Sequence, residues 1–327
     1  MRLLLGTVCG VLLSVFGMAQ SKDLKKVLFE KKTFPLSSIK NIELTTTGGS
    51  IYAEGTSSGE AILEVYVASG NGRSISLEDA KSIIATNYEY ETGLNGSTLF
   101  AKTKHKGKSW SNKNSVSISY KVIVPIQTSS SIATSGGSIQ IQNLKGTENI
   151  TTSGGSLDIE KVDGRLNANT SGGSITLKQS SGNLRVVTSG GSINMDGLNG
   201  DIKAATSGGS INANSISGSL SAQTSGGSIT LKNIAGTTDA STSGGSINGT
   251  FTDPGKGIKL VTSAGGINIH VPKNKGYDLQ LNGDHVNISN TTLQGTITKT
   301  YINAKSNGGG IPLKASTSAG SVSVSMD

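Results

Sequence analysis

Cysteine, proline, aromatic residues and charged residues are all scarce in this chain of 327 residues. A single cysteine, Cys9, excludes an intrachain disulfide, and five prolines are too few for collagen or a proline-rich linker. Aromatic residues make up 4%, so the core cannot be built mainly on large rings. Charged residues make up 15%, which argues against a highly charged disordered chain. Glycine is plentiful, with 45 residues, so small residues must pack closely.

The first nineteen residues have the pattern of a secretory signal peptide. Arg2 supplies a positive start, the segment 3–16 is apolar, and Gly17-Met18-Ala19 offers small residues for cleavage after Ala19. The alternative is a membrane anchor, but the apolar run is shorter than the ~20 residues that a span needs. Cleavage would remove Cys9, so the mature chain would lack thiol chemistry. We expect export to the periplasm, the outer-membrane periphery or the cell surface, with no transmembrane span in the mature chain.

A repeat of eighteen residues is the main signal in the sequence. The motif Ser-Gly-Gly-Ser occurs seven times in register, preceded by Thr and followed by Ile or Leu. It begins at Ser135, Ser153, Ser171, Ser189, Ser207, Ser225 and Ser243. Between copies, apolar residues alternate with polar ones, which is typical of strands with one buried face. A unit this short cannot bury its own apolar face, so we expect identical strands of successive units to stack.

The predicted fold is therefore all-β, a parallel β-solenoid of eighteen-residue coils with two or three short strands each. Right-handed winding is expected, as for parallel crossovers in general. The stacking places Ser171 beside Ser189 and buries Ile175. The glycines are expected at positive φ or at close backbone approaches, with Gly209 assigned a positive φ. Neighbouring Ser and Thr hydroxyls are expected to bond from coil to coil.

The flanks divide the chain into four predicted regions. Residues 1–19 are the signal peptide, and 20–133 form a capping region with a first coil, a hairpin and one short helix. Ser76 would cap that helix, and Leu77, Ala80, Ile83 and Ile84 would mark one of its faces. Residues 134–248 form the regular coils, and 249–327 form irregular coils of the same solenoid.

No catalytic or metal-binding constellation emerges from the sequence. The turns lack the Asp of calcium-binding β-rolls, and the three histidines are scattered. The acidic residues of the regular coils occupy different positions within the eighteen-residue unit. They therefore do not form the paired arrangement that a polysaccharide-cleaving site needs. We expect no enzyme activity, no cofactor and no metal.

One basic segment is a candidate ligand site. Lys102, Lys104, Lys106 and Lys108 alternate and would share one strand face, with Trp110 following. Such a patch suits anionic glycans or lipid head groups. The alternative is an edge hairpin that lysines protect against further pairing. Nucleic acid is not expected as a partner, because an exported protein is separated from the nucleic acids of the cell.

The Thr-Ser-Gly-Gly-Ser-Ile repeat behind a signal peptide resembles the bacterial putative-adhesin family, which is similar to the head GIN domain of putative autotransporter adhesins. The resemblance spans about residues 30–325 and includes Thr46–Ile51, Val124-Pro125 and His270-Val271-Pro272. It implies a β-solenoid envelope protein with an adhesive role and supplies no catalytic residues. We therefore expect a non-enzymatic adhesin or envelope scaffold whose partner is a glycan, a lipid head group or another envelope protein. The alternative is a polysaccharide-binding or polysaccharide-processing solenoid.

Overall fold

The computed structural model describes residues 26–107 and 115–327, and these residues form an all-β protein with one α-helix. The predicted signal peptide, including Cys9, lies outside the described residues. The N-terminal elements are β1 (Val27–Pro35), a 3-10 turn (Leu36–Ser38), β2 (Asn41–Thr46), β3 (Ile51–Thr56), β4 (Glu60–Ser69), α1 (Leu77–Asn87), β5 (Tyr88–Asn95), β6 (Thr98–His105) and β7 (Val116–Pro125). The all-β prediction is confirmed.

The repeat and the C-terminal third contain only strands among their regular elements. The repeat comprises β8 (Ser129–Thr134), β9 (Ile139–Gln142), β10 (Lys145–Thr152), β11 (Leu157–Glu160), β12 (Asp163–Thr170), β13 (Ile175–Lys178), β14 (Ser181–Thr188), β15 (Ile193–Ala205), β16 (Ile211–Gln223), β17 (Ile229–Thr242) and β18 (Ile247–Asp253). The C-terminal strands are β19 (Ile258–Ala264), β20 (Ile267–Val271), β21 (Tyr277–Asn282), β22 (His285–Ser289), β23 (Leu293–Ile297), β24 (Tyr301–Ser306), β25 (Ile311–Ala319) and β26 (Ser321–Met326).

From β8 to β17 the strands of the repeat pair in parallel with the equivalent strand eighteen residues later, whereas the last steps, from β17 to β19 and from β18 to β20, are twenty residues long. Ile175 lies opposite Ile193, and Leu166 lies opposite Leu184. The amide of Gly190 donates to the carbonyl of Ser171 at 2.9 Å, so neighbouring Ser-Gly-Gly turns stack directly. The strands that follow Gly-Gly-Ser form a run that we call ladder 1, and those that lead into the next Thr form ladder 2. The handedness of the winding stays a prediction.

The buried positions follow the predicted alternation. In the unit 171–188, the side chains of Ile175, Leu177, Leu184 and Val186 are completely buried, and Thr188 is nearly so. Their outward neighbours are polar except for Val187, so the interior is a column of aliphatic side chains surrounded by hydrogen-bonded strands. Burying these side chains is the main stabilising contribution, at roughly 1.5–3 kcal/mol for each large aliphatic group.

The threonine before each Ser-Gly-Gly-Ser motif locks one unit to the previous one. The Thr206 hydroxyl donates to the carbonyl of Gly191 at 2.8 Å and accepts from the amide of Gly209 at 3.3 Å. The same bonds recur at the other repeat threonines, including Thr188 and Thr224. The expected coil-to-coil hydroxyl bonds are therefore confirmed. They give hydrogen-bond partners to buried backbone groups that would otherwise have none.

The two kinds of glycine have different roles, and the assignment of a positive φ to Gly209 is wrong. A Cβ atom on Gly209 would lie 2.1 Å from the carbonyl oxygen of Gly191, so this glycine permits a close approach of two backbones. A positive φ belongs instead to the single glycine midway through several units, as at Gly200 with φ 126°. Only glycine adopts that conformation without a steric penalty.

A third turn, absent from the sequence prediction, follows the ladder 1 strand of each regular unit. It places one residue in the left-handed region, at Asn143, Lys161, Gln179, Gly197, Ser215 and Asn233. These positions are eighteen residues apart, but only Gly197 is a glycine. Because side-chain identity varies here, the repeat pattern alone gave no signal for the turn.

The predicted helix lies in the N-terminal region. The Ser76 hydroxyl accepts from the amide of Asp79 at 3.0 Å, and Ala80 and Ile84 are buried on one face. Strands β4 and β7 pair antiparallel, as do β5 and β6, so the N-terminal segments differ from the parallel repeat. The division of the chain into four regions stays a prediction.

The order of stacking departs from chain order at both ends. The pair β2 and β3 lies between β6/β7 on one side and β8/β9 on the other. Likewise β25 and β26 lie between β19/β20 and β21/β22. Strand β24 then pairs antiparallel with β21 and with β23. The sequence showed that these segments resemble the repeat, but not the order in which they stack.

Candidate binding surfaces

The predicted lysine site is only partly within the described residues, which exclude Lys108 and Trp110. The Lys102 ammonium pairs with Glu43 at 2.7 Å, and Lys104 lies opposite Glu89 on β5. The Lys106 ammonium donates to the carbonyl of Ala85 at 2.8 Å, in the last turn of α1, where a cation is favourable. These contacts give the three lysines structural roles. Ligand binding at this segment stays a prediction.

The outward side of ladder 1 forms a continuous row of polar side chains, which we call the polar face. Its members occupy register-paired positions on successive strands: Gln140, Asp158, Thr176, Asn194, Asn212, Thr230, Asn248 and Asn268. Adjacent strands are about 4.8 Å apart, so the row repeats hydrogen-bonding groups at that interval. The Asn212 amide donates to Asn194 at 2.9 Å, and Asn268 donates to Asn248 at 2.9 Å.

A shallow groove of about 410 Å³ lies at the centre of the polar face. We call it the central groove, and its polar lining consists of Thr176, Lys178, Asn194, Asp196, Asn212, Asn214, Thr230 and Lys232. Within it, Asn214 donates to Asp196 at 2.6 Å, so these two groups are held in place. The lining offers amides, hydroxyls, a carboxylate and two ammonium groups to a ligand. Such a mixture can donate to and accept from the hydroxyls of a polar polymer.

A second groove, of about 320 Å³, lies where the N-terminal strands extend ladder 1. We call it the tyrosine groove, because Tyr52 on β3 and Tyr66 on β4 both line it, with Ser119 and Lys121 of β7 between them. Gln140 at one margin is the first member of the polar face, so the two surfaces are continuous.

Hydrogen bonds fix both phenols of the tyrosine groove. The Tyr52 hydroxyl donates to Glu54 at 2.7 Å and accepts from the Gln142 amide at 2.7 Å. The Tyr66 hydroxyl donates to Glu64 at 2.9 Å. Partial burial, together with the neighbouring carboxylate, raises the pKa of each phenol above its usual value. A hydrogen bond from Lys31 lowers the pKa of the Glu64 carboxyl. Both tyrosines are therefore neutral donors, held in one orientation.

Sequence reasoning missed the tyrosine groove, although a signal was present. In a chain with few aromatic residues, Tyr52 and Tyr66 occupy outward positions of alternating strands. An outward tyrosine on a polar strand face is more typical of a contact surface than of a core. The two tyrosines precede the regular repeat of residues 134–248, so the repeat pattern contains no information about them.

Glu148 is a carboxyl group inside the stack of units, and its side chain is completely buried. It occupies an interior row in which its neighbours are Ser130 on β8 and Leu166 on β12. The Ser130 hydroxyl donates to Oε2, while Oε1 has no partner among the described residues. Burial raises the pKa of this carboxyl to about 7, against the smaller opposing effect of the Ser130 bond. The Ser130 hydrogen bond gives this carboxyl a structural role inside the stack.

Two further properties bear on function. Among residues 26–107 and 115–327, no three His, Cys, Asp or Glu side chains are grouped so that they could hold a metal ion. Within the same described ranges, no helix has both the length and the apolar character needed to cross a membrane.

Comparison with known proteins gives several distant structural similarities. No protein-family profile and no curated protein matches this sequence. A putative cell adhesion protein from Clostridium sporogenes is 9% identical, with 93% of this chain and 99% of the other covered and a TM-score of 0.21. A putative adhesin from Bacteroides fragilis is 14% identical, with coverage of 94% and 100% and a TM-score of 0.35.

The third is a putative lipid binding protein from Parabacteroides distasonis, at 16% identity, coverage of 90% and 96% and a TM-score of 0.40. The names of the first two agree with the adhesin resemblance carried by the repeat. At these TM-scores the superpositions are too loose to support any statement about the function of this chain.

Proposed function

We propose that this protein is an exported, non-enzymatic adhesion module of a bacterial cell envelope, and that its polar face binds a polysaccharide. The observation that carries the proposal is the central groove, which lies on a row of register-paired polar side chains. A rigid row of amides and hydroxyls suits a ligand that repeats its own hydroxyls along an extended chain. The proposal also draws on the signal-peptide pattern and on the adhesin resemblance of the repeat.

Stacking leaves the outward positions of the repeat free for recognition. The interior side chains and the Thr-Gly-Gly contacts hold the units together, whereas Asn194 and Asn212 contribute only to the surface. Extended faces of this kind are the usual binding surfaces of repeat proteins. The ligand would lie across the strands, in contact with several units.

Co-sedimentation of the purified chain from residue 20 with cellulose, chitin and peptidoglycan sacculi tests the proposal. We expect retention by at least one polymer, and a roughly tenfold loss of affinity in the double variant Asn194→Ala/Asn212→Ala, because each lost hydrogen bond contributes about 0.5–1.5 kcal/mol. The matched control Asn167→Ala/Ser221→Ala alters outward residues of ladder 2 and should bind normally. No retention by any polymer, or equal losses in both double variants, would contradict the proposal. Release of new reducing ends would favour the processing alternative.

A further inference from the structure

We propose that the tyrosine groove is a subsite for a hexuronate, the carboxylate-bearing ring of an acidic polysaccharide. The inference rests on the proposed saccharide-binding function, and it names the class of sugar that this part of the surface binds. It concerns different residues from the central groove. The groove has a volume of about 320 Å³, at the lower end of the range for small-ligand sites, which suits one sugar ring rather than a longer segment.

The groove lies where small outward side chains stand beside longer ones. Its floor consists of serines on three neighbouring strands, at the start of β9 and β3 and within β7: Ser138, Ser50 and Ser119. Two residues farther along the same strands are the longer side chains that form one wall: Gln140, Tyr52 and Lys121. Tyr66 on β4 lies opposite Ser119 and bounds the row of serines at that end. A sugar ring over the serines would therefore have side chains of this protein below it and beside it.

The free hydrogen-bond donors of the groove are hydroxyl and ammonium groups. The phenol hydrogens of both tyrosines are already donated to glutamate carboxylates, so the two phenols do not donate to a ligand. The Ser119 hydroxyl accepts from the amide of Ser50 at 3.2 Å, which leaves its own hydrogen available. The Ser138 hydroxyl accepts from the amide of Ser156 at 3.2 Å in the same way. Hydroxyl and ammonium donors together are what a carboxylate needs.

The charge of the groove lining is positive. Lys26 and Lys121 line it, and none of the described residues of the lining is acidic. Strand β4 lies between β7 and β1, and Lys26 directly precedes β1, so the two lysines come from either side of Tyr66. A ligand that carries a carboxylate would bring the missing negative charge into the groove.

The nearby carboxylate of Glu64 is already compensated by a third lysine. Its Oε1 atom lies 2.9 Å from the ammonium group of Lys31. Its Oε2 atom accepts from Tyr66 at 2.9 Å and lies 4.0 Å from the ammonium group of Lys121. Lys121 is therefore a second and more distant cation beside one carboxylate, which leaves its charge for a ligand. Because the Lys121 side chain is 47% exposed, we expect that interaction to weaken as salt is added.

The polar face continues into the groove, which favours a polysaccharide over other anions. Gln140 lines the groove and is also the first member of the polar face. An extended polysaccharide on that face would place one of its rings over the serines. A phospholipid head group offers a similar charge, but it has no chain of rings that continues along the row of amides and hydroxyls.

Isothermal titration of the purified chain from residue 20 with tetragalacturonate and with its fully methyl-esterified form tests the subsite. The two probes have the same rings, but the ester lacks the negative charge. We expect tetragalacturonate to bind with a dissociation constant of about 1 mM or tighter in about 20 mM NaCl, and the ester to bind about fivefold more weakly or less. Raising NaCl to about 500 mM should weaken binding of the acid by about fivefold or more and affect the ester little.

The double variant Lys26→Gln/Lys121→Gln should lose about tenfold in affinity for tetragalacturonate, since each exposed ion pair contributes up to about fivefold. Lys145→Gln/Lys203→Gln is the matched control, because it removes the same charge from outward positions of ladder 2 and should bind normally. Glu64→Gln should bind about threefold more tightly, because it removes the carboxylate that competes for Lys121. Thermal unfolding should show that all variants are folded.

Failure of tetragalacturonate to bind at about 10 mM, equal binding of the acid and its ester, or equal losses in the two lysine variants would overturn the subsite. Phosphatidylglycerol vesicles are the remaining probe: if they bind through Lys26 and Lys121 while tetragalacturonate does not, the groove belongs to a phospholipid and the hexuronate assignment is wrong. If the subsite fails but a polymer is still retained through Asn194 and Asn212, the proposed function stands without it. If neither polymer nor tetrasaccharide binds, both proposals fall.

Discussion

The buried carboxyl of Glu148 should make the stability of this protein fall as the pH rises. Its pKa in the folded chain is raised to about 7 from an ordinary value of 4.5, because burial disfavours the charged form. The folded state therefore holds a proton that the unfolded state has released at intermediate pH. A carboxyl with a raised folded-state pKa contributes most below its unfolded pKa, and the contribution is lost as the pH rises through the folded pKa.

The magnitude follows from the size of the shift. A difference of about 2.5 pKa units corresponds to about 3.5 kcal/mol, since one unit is worth about 1.4 kcal/mol. Most of this stability should be lost between about pH 5 and pH 8. Other carboxyls act in the opposite direction. The hydrogen bond from Lys31 lowers the pKa of Glu64, and although burial opposes it, the hydrogen bonds from Thr92, Tyr90 and Lys32 together lower the pKa of Glu30. Their contribution is lost on acidification, so the parent chain alone would show a mixed profile.

Comparison with Glu148→Gln isolates the effect, because the amide keeps an acceptor for the Ser130 hydroxyl and does not titrate. Urea unfolding followed by far-ultraviolet circular dichroism at pH 5 and pH 8 gives the difference between the two chains at each pH. We expect the free energy of unfolding of the parent to fall by about 2.5 kcal/mol relative to the variant over that interval. Glu148→Leu, with the residue found at Leu166, should show the same loss of pH dependence. If the free energies of unfolding of the parent chain and of Glu148→Gln change by the same amount between pH 5 and pH 8, the reasoning about Glu148 is wrong.

Two further predictions concern the turns of the repeat. Gly209→Ala should lower the free energy of unfolding by about 3 kcal/mol or more. The reason is steric, because the new Cβ atom would lie 2.1 Å from the carbonyl oxygen of Gly191 and would force the two backbones apart. Its neighbour Gly208 is the control, since the nearest atom to a Cβ there lies at 3.4 Å; equal losses in both alanine variants would refute the close-approach argument. Gln179→Gly should raise the melting temperature, with a gain of up to about 1 kcal/mol, because Gln179 has a positive φ where the next unit uses Gly197. A lower melting temperature would show that the side chain outweighs the backbone strain.

The regular part of the fold could be predicted because its physical requirements repeat. Ile175 and Leu177 alternate with polar residues, and the same alternation eighteen residues later can be satisfied only by stacking. The helix was predictable for a local reason, since Ser76 caps its own first turn. In both cases the residues that determine the structure are close together or occur in many copies.

The stacking order at the ends was not predictable for the opposite reason. Strands β2 and β25 each have repeat-like sequences, and a repeat pattern fits several neighbours equally well. Their positions between β6 and β8, and between β19 and β21, depend on contacts far apart in the chain. Glu148 illustrates the same limit, because the sequence pattern alone did not place this carboxyl inside the stack. The structure shows that it is buried and that it faces Ser130.

The tyrosine groove escaped prediction, and the outward row of ladder 1 could be located in the sequence but not linked to a ligand, because the forces that build the stack do not act on these positions. Stacking requires an aliphatic side chain at Ile211, a hydroxyl at Thr206 and no Cβ atom at Gly209, whereas Asn212 is constrained only by its neighbours on the surface. The pattern of buried residues therefore indicates the fold, and only the outward residues can indicate the ligand. Tyr52 and Tyr66 are outward aromatic groups in a chain that uses few of them, and their hydroxyls are held by carboxylates. Because a merely stable stack needs neither property, the outward residues of the polar face and of the tyrosine groove, rather than the buried positions of the repeat, should determine what the protein recognises.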